Sequence, residues 1–186
     1  MTVGVLALQG DYAAHSRCLQ ELGASVALVR QAGQLEDISA LVIPGGESSV
    51  LLKLLGPDQF WEKLQVFVHN KPCFGTCAGA ILLASEVENP EQPCLGAMDI
   101  CIQRNAYGRQ MQSAIHQVDT VPGGDPMEMV FIRAPRITRV GAKVEVLASY
   151  QGDPVWLRQG KIMVATFHPE LSKDLRVHAE FLRGMG

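Results

Sequence analysis

An α/β fold with a mainly parallel open sheet, helices on both faces and a short antiparallel extension is predicted by three features. Short, nearly continuous apolar runs alternate with helix-period segments through the first half of the chain, and each run ends in turn residues. Beyond Gly96 this alternation gives way to closely spaced strand-like runs split by Gly, Pro and Asp. The length of 186 residues fits one domain over 1–186, and 47% hydrophobic against 19% charged residues supply the apolar surface for its core.

Residues 3–8 form an apolar run closed by Gln9-Gly10-Asp11, the pattern of a strand buried on both faces. Residues 12–22 have helical period: Asp11 is placed to cap the start, Gly23 stands at the end, and Tyr12, Ala13, Leu19 and Leu22 make the expected inward stripe. Ser25–Val29 and Ala40–Ile43 read as the next two strands, the second stopped by Pro44-Gly45-Gly46. Helices follow over Ser48–Leu55 and residues 60–69, around a Gly56-Pro57 break, then a strand over 72–75 and a small-residue helix over 80–84. The extension comprises runs at 100–103, 129–132, 137–140, 144–150 and 155–158; a last core strand at 162–166 leads to an amphipathic helix over 175–185.

Composition excludes several function classes. Sixteen Lys and Arg against nineteen Asp and Glu give a net charge of −3, so there is no cationic field to gather nucleic acid or an anionic membrane surface. The longest apolar runs, 3–8 and 81–84, fall far short of the roughly 20 residues of a spanning helix. The opening Met1-Thr2-Val3-Gly4-Val5-Leu6 lacks a basic leader segment and predicts a cytoplasmic protein. Five cysteines, an odd number with no CxxC spacing, argue against both a disulfide framework and a zinc knuckle. Neither GxxxxGK nor GxGxxG is present, so phosphate cradling is disfavoured.

Three stretches contain the chemistry. Gly75-Thr76-Cys77-Ala78-Gly79 lies between a strand and a helix; a nucleophile on so sharp a turn is held exposed, and the start of a helix favours negative charge there. Cys18, Cys73, Cys94 and Cys101 have no such setting and read as core or inert thiols. Thr166-Phe167-His168-Pro169-Glu170 follows the last core strand. A thiol nucleophile needs an imidazole to relay its proton, and the imidazole needs an acceptor to fix its tautomer, so His168 and Glu170 complete a Cys, His, carboxylate set if the two strand ends are neighbours. His15, His69, His116 and His178 lack an adjacent rigid carboxylate and are expected at the surface or in packing. Pro44-Gly45-Gly46-Glu47-Ser48-Ser49 permits backbone N–H groups to face a developing oxyanion, with Ser48 the expected cap of the following helix.

In this order, the cysteine elbow, the glycine loop and the C-terminal His-x-Glu resemble the class I (triad) glutamine amidotransferases, and the likeness spans nearly the whole chain. The opening Gly4-Val5-Leu6-Ala7-Leu8-Gln9-Gly10-Asp11, Thr76 within the elbow, and Phe131-Ile132-Arg133-Ala134-Pro135 resemble more narrowly the glutaminase subunits of pyridoxal 5′-phosphate synthase, the PdxT/SNO family. The resemblance implies a flavodoxin-like sheet and hydrolysis of L-glutamine to glutamate and ammonia. It casts Cys77 as nucleophile, His168 as base then acid, and Glu170 as its orienter. Substrate contacts are implied for Gly45, Gly46, Glu47, Arg104, Ile132 and Arg133, and oxyanion donors for Gly46 and Ala78. An arginine fork suits an α-carboxylate, and Glu47 suits an α-ammonium by side chain or by its loop backbone. No cofactor or metal is implied. The implied partner is a synthase (lyase) subunit in a hetero-oligomeric complex that receives the ammonia and activates the glutaminase on docking, with Gln9 and Gly10 sensing it. The alternatives are a stand-alone cysteine hydrolase of γ-glutamyl hydrolase type and a non-catalytic thiol-sensing module on the same fold.

Overall fold

The chain runs β1 (Thr2–Leu6), α1 (Tyr12–Glu21), β2 (Ser25–Val29), a 3-10 turn (Ala32–Asp37), β3 (Ala40–Ile43), α2 (Ser48–Leu55), α3 (Phe60–Asn70), β4 (Cys73–Thr76) and α4 (Ala78–Leu83). It continues through β5 (Ala84–Glu88), β6 (Met98–Gln103), β7 (Ser113–Thr120), β8 (Gly124–Ile132), β9 (Arg136–Val140), β10 (Glu145–Tyr150), β11 (Asp153–Gln159) and β12 (Ile162–Ala165), and ends with a 3-10 turn (Pro169–Leu171) and α5 (Arg176–Arg183). This is a computed structural model, and it describes residues 1–56, 59–104, 113–120 and 124–185. Pro57 of the expected Gly56-Pro57 break lies outside the described residues.

Nine strands form one sheet in the order β2-β1-β3-β4-β12-β11-β10-β7-β8. The first five are parallel, with Val5 beside Val42, Ile43 beside Gly75 and Thr76 beside Ala165. From β12 onward every pairing in that sheet is antiparallel. The antiparallel extension is therefore four strands of the main sheet, larger than the short one expected, and a separate sheet β5-β6-β9 stands beside it.

Side-chain alternation explains why the parallel strands read as unbroken apolar runs. Leu41 and Ile43 project into a core closed by Leu51, Leu55, Leu64 and Ile81 of α2, α3 and α4. Ala40 and Val42 project the other way, with Val3, Val5 and Phe74, onto Leu19 of α1 and Val177 and Phe181 of α5. Both faces of these central strands are covered, so apolar residues fall on both parities, and the buried polar Thr76 at the end of β4 is met by His15.

Two expectations need correction. The buried face of α1 is Ala14, His15, Cys18 and Leu19; of the expected stripe Leu19 is buried and Tyr12 packs partly buried against the core, whereas Leu22 is only half-buried and Ala13 faces solvent. The helix does start and stop as expected: the Asp11 carboxylate accepts from the Ala14 amide at 3.2 Å, and Gly23 leaves the helix at φ +81°. Ser48 is not the cap of α2. That position belongs to Glu47, whose carboxylate accepts from the Ser49 amide at 3.2 Å, while the Ser48 hydroxyl donates to Gln92 Oε1 at 2.9 Å.

Candidate active site

The carboxyl ends of β1, β3, β4 and β12 lie side by side, which brings four separate loops to one edge of the sheet. Cys77 occupies the turn from β4 into α4 at φ 47° and ψ −103°, a left-handed conformation that costs a non-glycine residue on the order of 1–3 kcal/mol. Its amide donates to the Ala165 carbonyl of β12 at 2.9 Å, and its carbonyl receives the Ile81 amide of α4 at 3.1 Å. The elbow is thus pinned on both sides.

Beyond β12, the His168 amide donates to the Val130 carbonyl of β8 at 2.8 Å, and Pro169 opens the tight 3-10 turn that returns Glu170 beneath the ring. Glu170 Oε1 accepts from His168 Nδ1 at 2.8 Å, and the ring lines the same cavity as Cys77. The glycine loop closes the third side. A methyl group on Gly45 would lie 2.5 Å from His168 Cε1 and 3.2 Å from Cys77 Cβ.

Electrostatics follow from this arrangement. Burial pulls His168 down, but the neighbouring Cys77 and Glu170 side chains outweigh that and push it up to about 10, so the ring is held as imidazolium facing the sulfur. Glu170 is buried, which works against its charge, yet His15 and His168 hold it below the usual carboxylate range. Burial pushes the thiols of Cys18, Cys73, Cys94 and Cys101 up, away from thiolate.

Gly46, Glu47, Cys77, Arg104, Ile132, Arg133 and His168 line a single cavity of about 410 Å³, together with Ser48 and Ile81. These seven were each singled out from the sequence, and the fold draws them from five segments into one space. Arg133 turns off the end of β8 at φ 44°. Arg104 Nη2 lies 3.4 Å from Glu47 Oε1, whose carboxylate also accepts from the Ser49 hydroxyl; these contacts, that of Ser49 first, keep Glu47 below its ordinary range. Asn105, beside Arg104, lies outside the described residues.

Gln9 and Gly10 meet the glycine loop directly. The Gln9 side chain grips the Glu47 peptide from both sides, accepting from its amide at 3.2 Å and donating to its carbonyl at 3.0 Å. Gly10, at φ +75°, passes so close that a Cβ there would lie 1.8 Å from the Gly45 carbonyl oxygen.

Comparison with known proteins places these features in a family. The sequence model of the SNO glutamine amidotransferase family matches residues 5–185. The chain belongs to this family. A pyridoxal 5′-phosphate synthase subunit PdxT of Koribacter versatilis is 60% identical over 184 residues, covering 98% of this chain and 95% of the relative. Another PdxT subunit, of Solibacter usitatus, is 52% identical over 188 residues, with 97% of each chain covered. A solved glutamine amidotransferase structure superposes with a TM-score of 0.90 at 44% identity, covering 99% of this chain and 98% of the other.

Around the site of this SNO amidotransferase lie polar residues that sequence reasoning passed over. His15 and His178, expected at the surface or in packing, are fully buried, and His15 Nε2 lies 3.3 Å from Glu170 Oε2. His69 and His116 do sit outside the site: His69 bonds the Leu95 carbonyl at 3.1 Å, and His116 stacks on Tyr150. Among the described residues one trio, Glu86, Glu88 and Cys101, brings possible metal-ligand atoms within 4.8 Å of one another; it is on β5 and β6, not in the cavity lining.

Proposed function

We propose that this chain is the glutaminase subunit of a pyridoxal 5′-phosphate synthase, releasing ammonia from L-glutamine for a synthase partner. The observation that carries this reading is the single cavity in which Cys77 and His168 face the glycine loop, Arg104 and Arg133. Membership in the SNO family and the printed names of the PdxT relatives support it.

In this reading the Cys77 sulfur attacks the carbon of the substrate's side-chain amide, and the carbonyl π electrons move onto oxygen. Backbone N–H groups of Gly46 and Ala78 receive that oxyanion; one such donor is typically worth 10²–10³ in rate. The C–N bond then breaks as His168 passes its proton to the nitrogen, giving ammonia and a glutamyl thioester. Water adds to the thioester, His168 takes a water proton, and the C–S bond breaks to give glutamate and the thiolate again. Glu170 stays ionised, holding His168 through Nδ1. The Arg104 and Arg133 forks bind the α-carboxylate, and the loop at Glu47 receives the α-ammonium.

Ammonia would be protonated in water, which gives a sealed route to the partner a chemical reason. The grip of Gln9 on the Glu47 peptide and the closeness of Gly10 to Gly45 make residues 9 and 10 a lever on the oxyanion loop. Docking of the synthase on that lever is the activating event. Ammonia release measured with and without the synthase subunit tests this: turnover rises on docking, and Cys77→Ala removes it in both states. Equal rates with and without partner contradict the activation, and turnover by Cys77→Ala contradicts the chemistry.

A further inference from the structure

Behind the candidate triad, away from the substrate cavity, lies a second layer of buried polar side chains. His15, on the inward face of α1, is completely sealed from solvent. Its Nε2 hydrogen-bonds Thr76 Oγ1 at 3.1 Å and lies 3.3 Å from Glu170 Oε2; its Nδ1 meets His178 Nε2 of α5 at 2.9 Å. Phe74 meets both rings edge-on. A chain of polar atoms therefore runs from α5 through α1 to Glu170 and on to His168 and Cys77.

The tautomers follow from what is left unpaired. His178 Nδ1 is buried and has no partner among the described residues, which a bare lone pair tolerates better than an N–H would. His178 then donates from Nε2 to His15 Nδ1, and His15 presents its own N–H from Nε2 toward Thr76 and Glu170. Burial keeps both rings neutral. Among the described residues Glu170 Oε2 makes no hydrogen bond of regular geometry, so the polarised edge of His15 at 3.3 Å is what offsets its charge.

We propose that His15 is a positioning residue for the proton relay, holding the second carboxylate oxygen of Glu170 and the hydroxyl of Thr76 so that Glu170 stays ionised and aimed at His168. This rests on the reading of Cys77, His168 and Glu170 as the glutaminase triad, and adds to it a residue that touches neither substrate nor sulfur. The imidazole supplies a donor without a charge. A lysine or arginine there would compete with His168 for the carboxylate, and an apolar side chain would leave Oε2 buried and uncompensated. Placing this residue on α1, one helix turn after Gln9-Gly10-Asp11, also puts the carboxylate's neighbour on the helix that follows the loop gripping Glu47.

The groups that face the pair are Asp11 at the cap of α1, Cys18 of α1, Thr76 of β4, His178 of α5, and His168 beside Glu170 itself. Loss of the His15 donor makes the buried Glu170 protonate at higher pH. Substitutions of different reach separate this from simple packing. The amide nitrogen of His15→Gln extends about as far as Nε2, whereas His15→Asn stops near Nδ1 and cannot reach Glu170. Glutamine turnover is measured in the complex with the synthase subunit, as kcat, KM and the pH profile of kcat/KM. His15→Asn and His15→Leu are expected to lower kcat on the order of 10- to 100-fold with KM within about two-fold, and to move the acid limb upward by at least about half a pH unit. His15→Gln is expected to restore most of the rate and the parent limb. Equal behaviour of Asn and Gln, or a uniform loss with the limb unmoved, overturns the proposal, and this comparison stands even if His15→Leu does not fold. If Cys77→Ala turns over glutamine, the triad reading itself fails, whatever the His15 variants do.

Discussion

A methyl group added to Gly10 would meet the Gly45 carbonyl oxygen at 1.8 Å on a backbone at φ +75°, and backbone is what it would have to displace. Gly10→Ala is therefore expected to shift the glycine loop and lower kcat by about 10²-fold, the scale of one lost oxyanion donor, with the fold intact by circular dichroism. A rate equal to the parent would show that the loop position does not matter. His168 is pushed up to about 10 from an ordinary 6.5, so the imidazolium facing Cys77 persists through neutral pH and its deprotonation is expected to lower kcat/KM only as pH nears about 10. An alkaline limb near 7 contradicts the pairing of ring and sulfur. These residues were legible in the sequence because their cues are local: Cys77 stands between glycines at a strand end, and Pro169 stiffens His168 against Glu170. His15 was not legible, since its neighbours Thr76, Glu170 and His178 come from three distant segments and only the fold assembles them.

Helix α1 links the first strand's loop to the interior polar chain, so its end condition matters. Asp11→Ala removes the acceptor of the Ala14 amide and is expected to cost about 1 kcal/mol, read as a lowered urea midpoint with unchanged slope. An unchanged midpoint would mean the cap contributes nothing. The same scale explains which elements the sequence conceals. The parallel strands are buried on both faces, so their apolar runs are unmistakable. β7 is not: its Ile115 is 65% exposed while Val118 is buried, so apolar residues fall on opposite faces and the alternation cancels. β5 follows α4 without a turn signal and buries only Ala84 and Val87, which hides it behind the helix. The stripe of α1 was misplaced because its buried face includes His15, a polar residue that periodicity of apolar residues discards.

For the molecule as a whole, the buried polar chain sets how stability responds to pH. Burial lowers His178 to about 3 from an ordinary 6.5, so the unfolded chain takes up this proton first and stability falls as pH drops below about 6.5 toward 3. Glu170, also held below its ordinary 4.5, acts in the same direction: its contribution is present above 4.5 and lost as pH falls through its folded value. His168 governs the alkaline side, where its raised value gives a contribution complete below 6.5 and lost as pH rises through about 10. The urea midpoint is therefore expected to decline on both sides of neutrality, with a flatter acid arm in His178→Phe; a midpoint constant between pH 6.5 and 4 contradicts this.

The central claim is that one sulfur among five does the chemistry because a distant imidazole and carboxylate meet it across the sheet edge. Its most direct measurement is mass-spectrometric mapping after exposure to the diazoketone analogue of glutamine, in the presence of the synthase subunit. One label per chain on Cys77, none on Cys18, Cys73, Cys94 or Cys101, and protection by excess L-glutamine are the predicted result. A label on another cysteine, or continued ammonia release from protein fully labelled at Cys77, would contradict it.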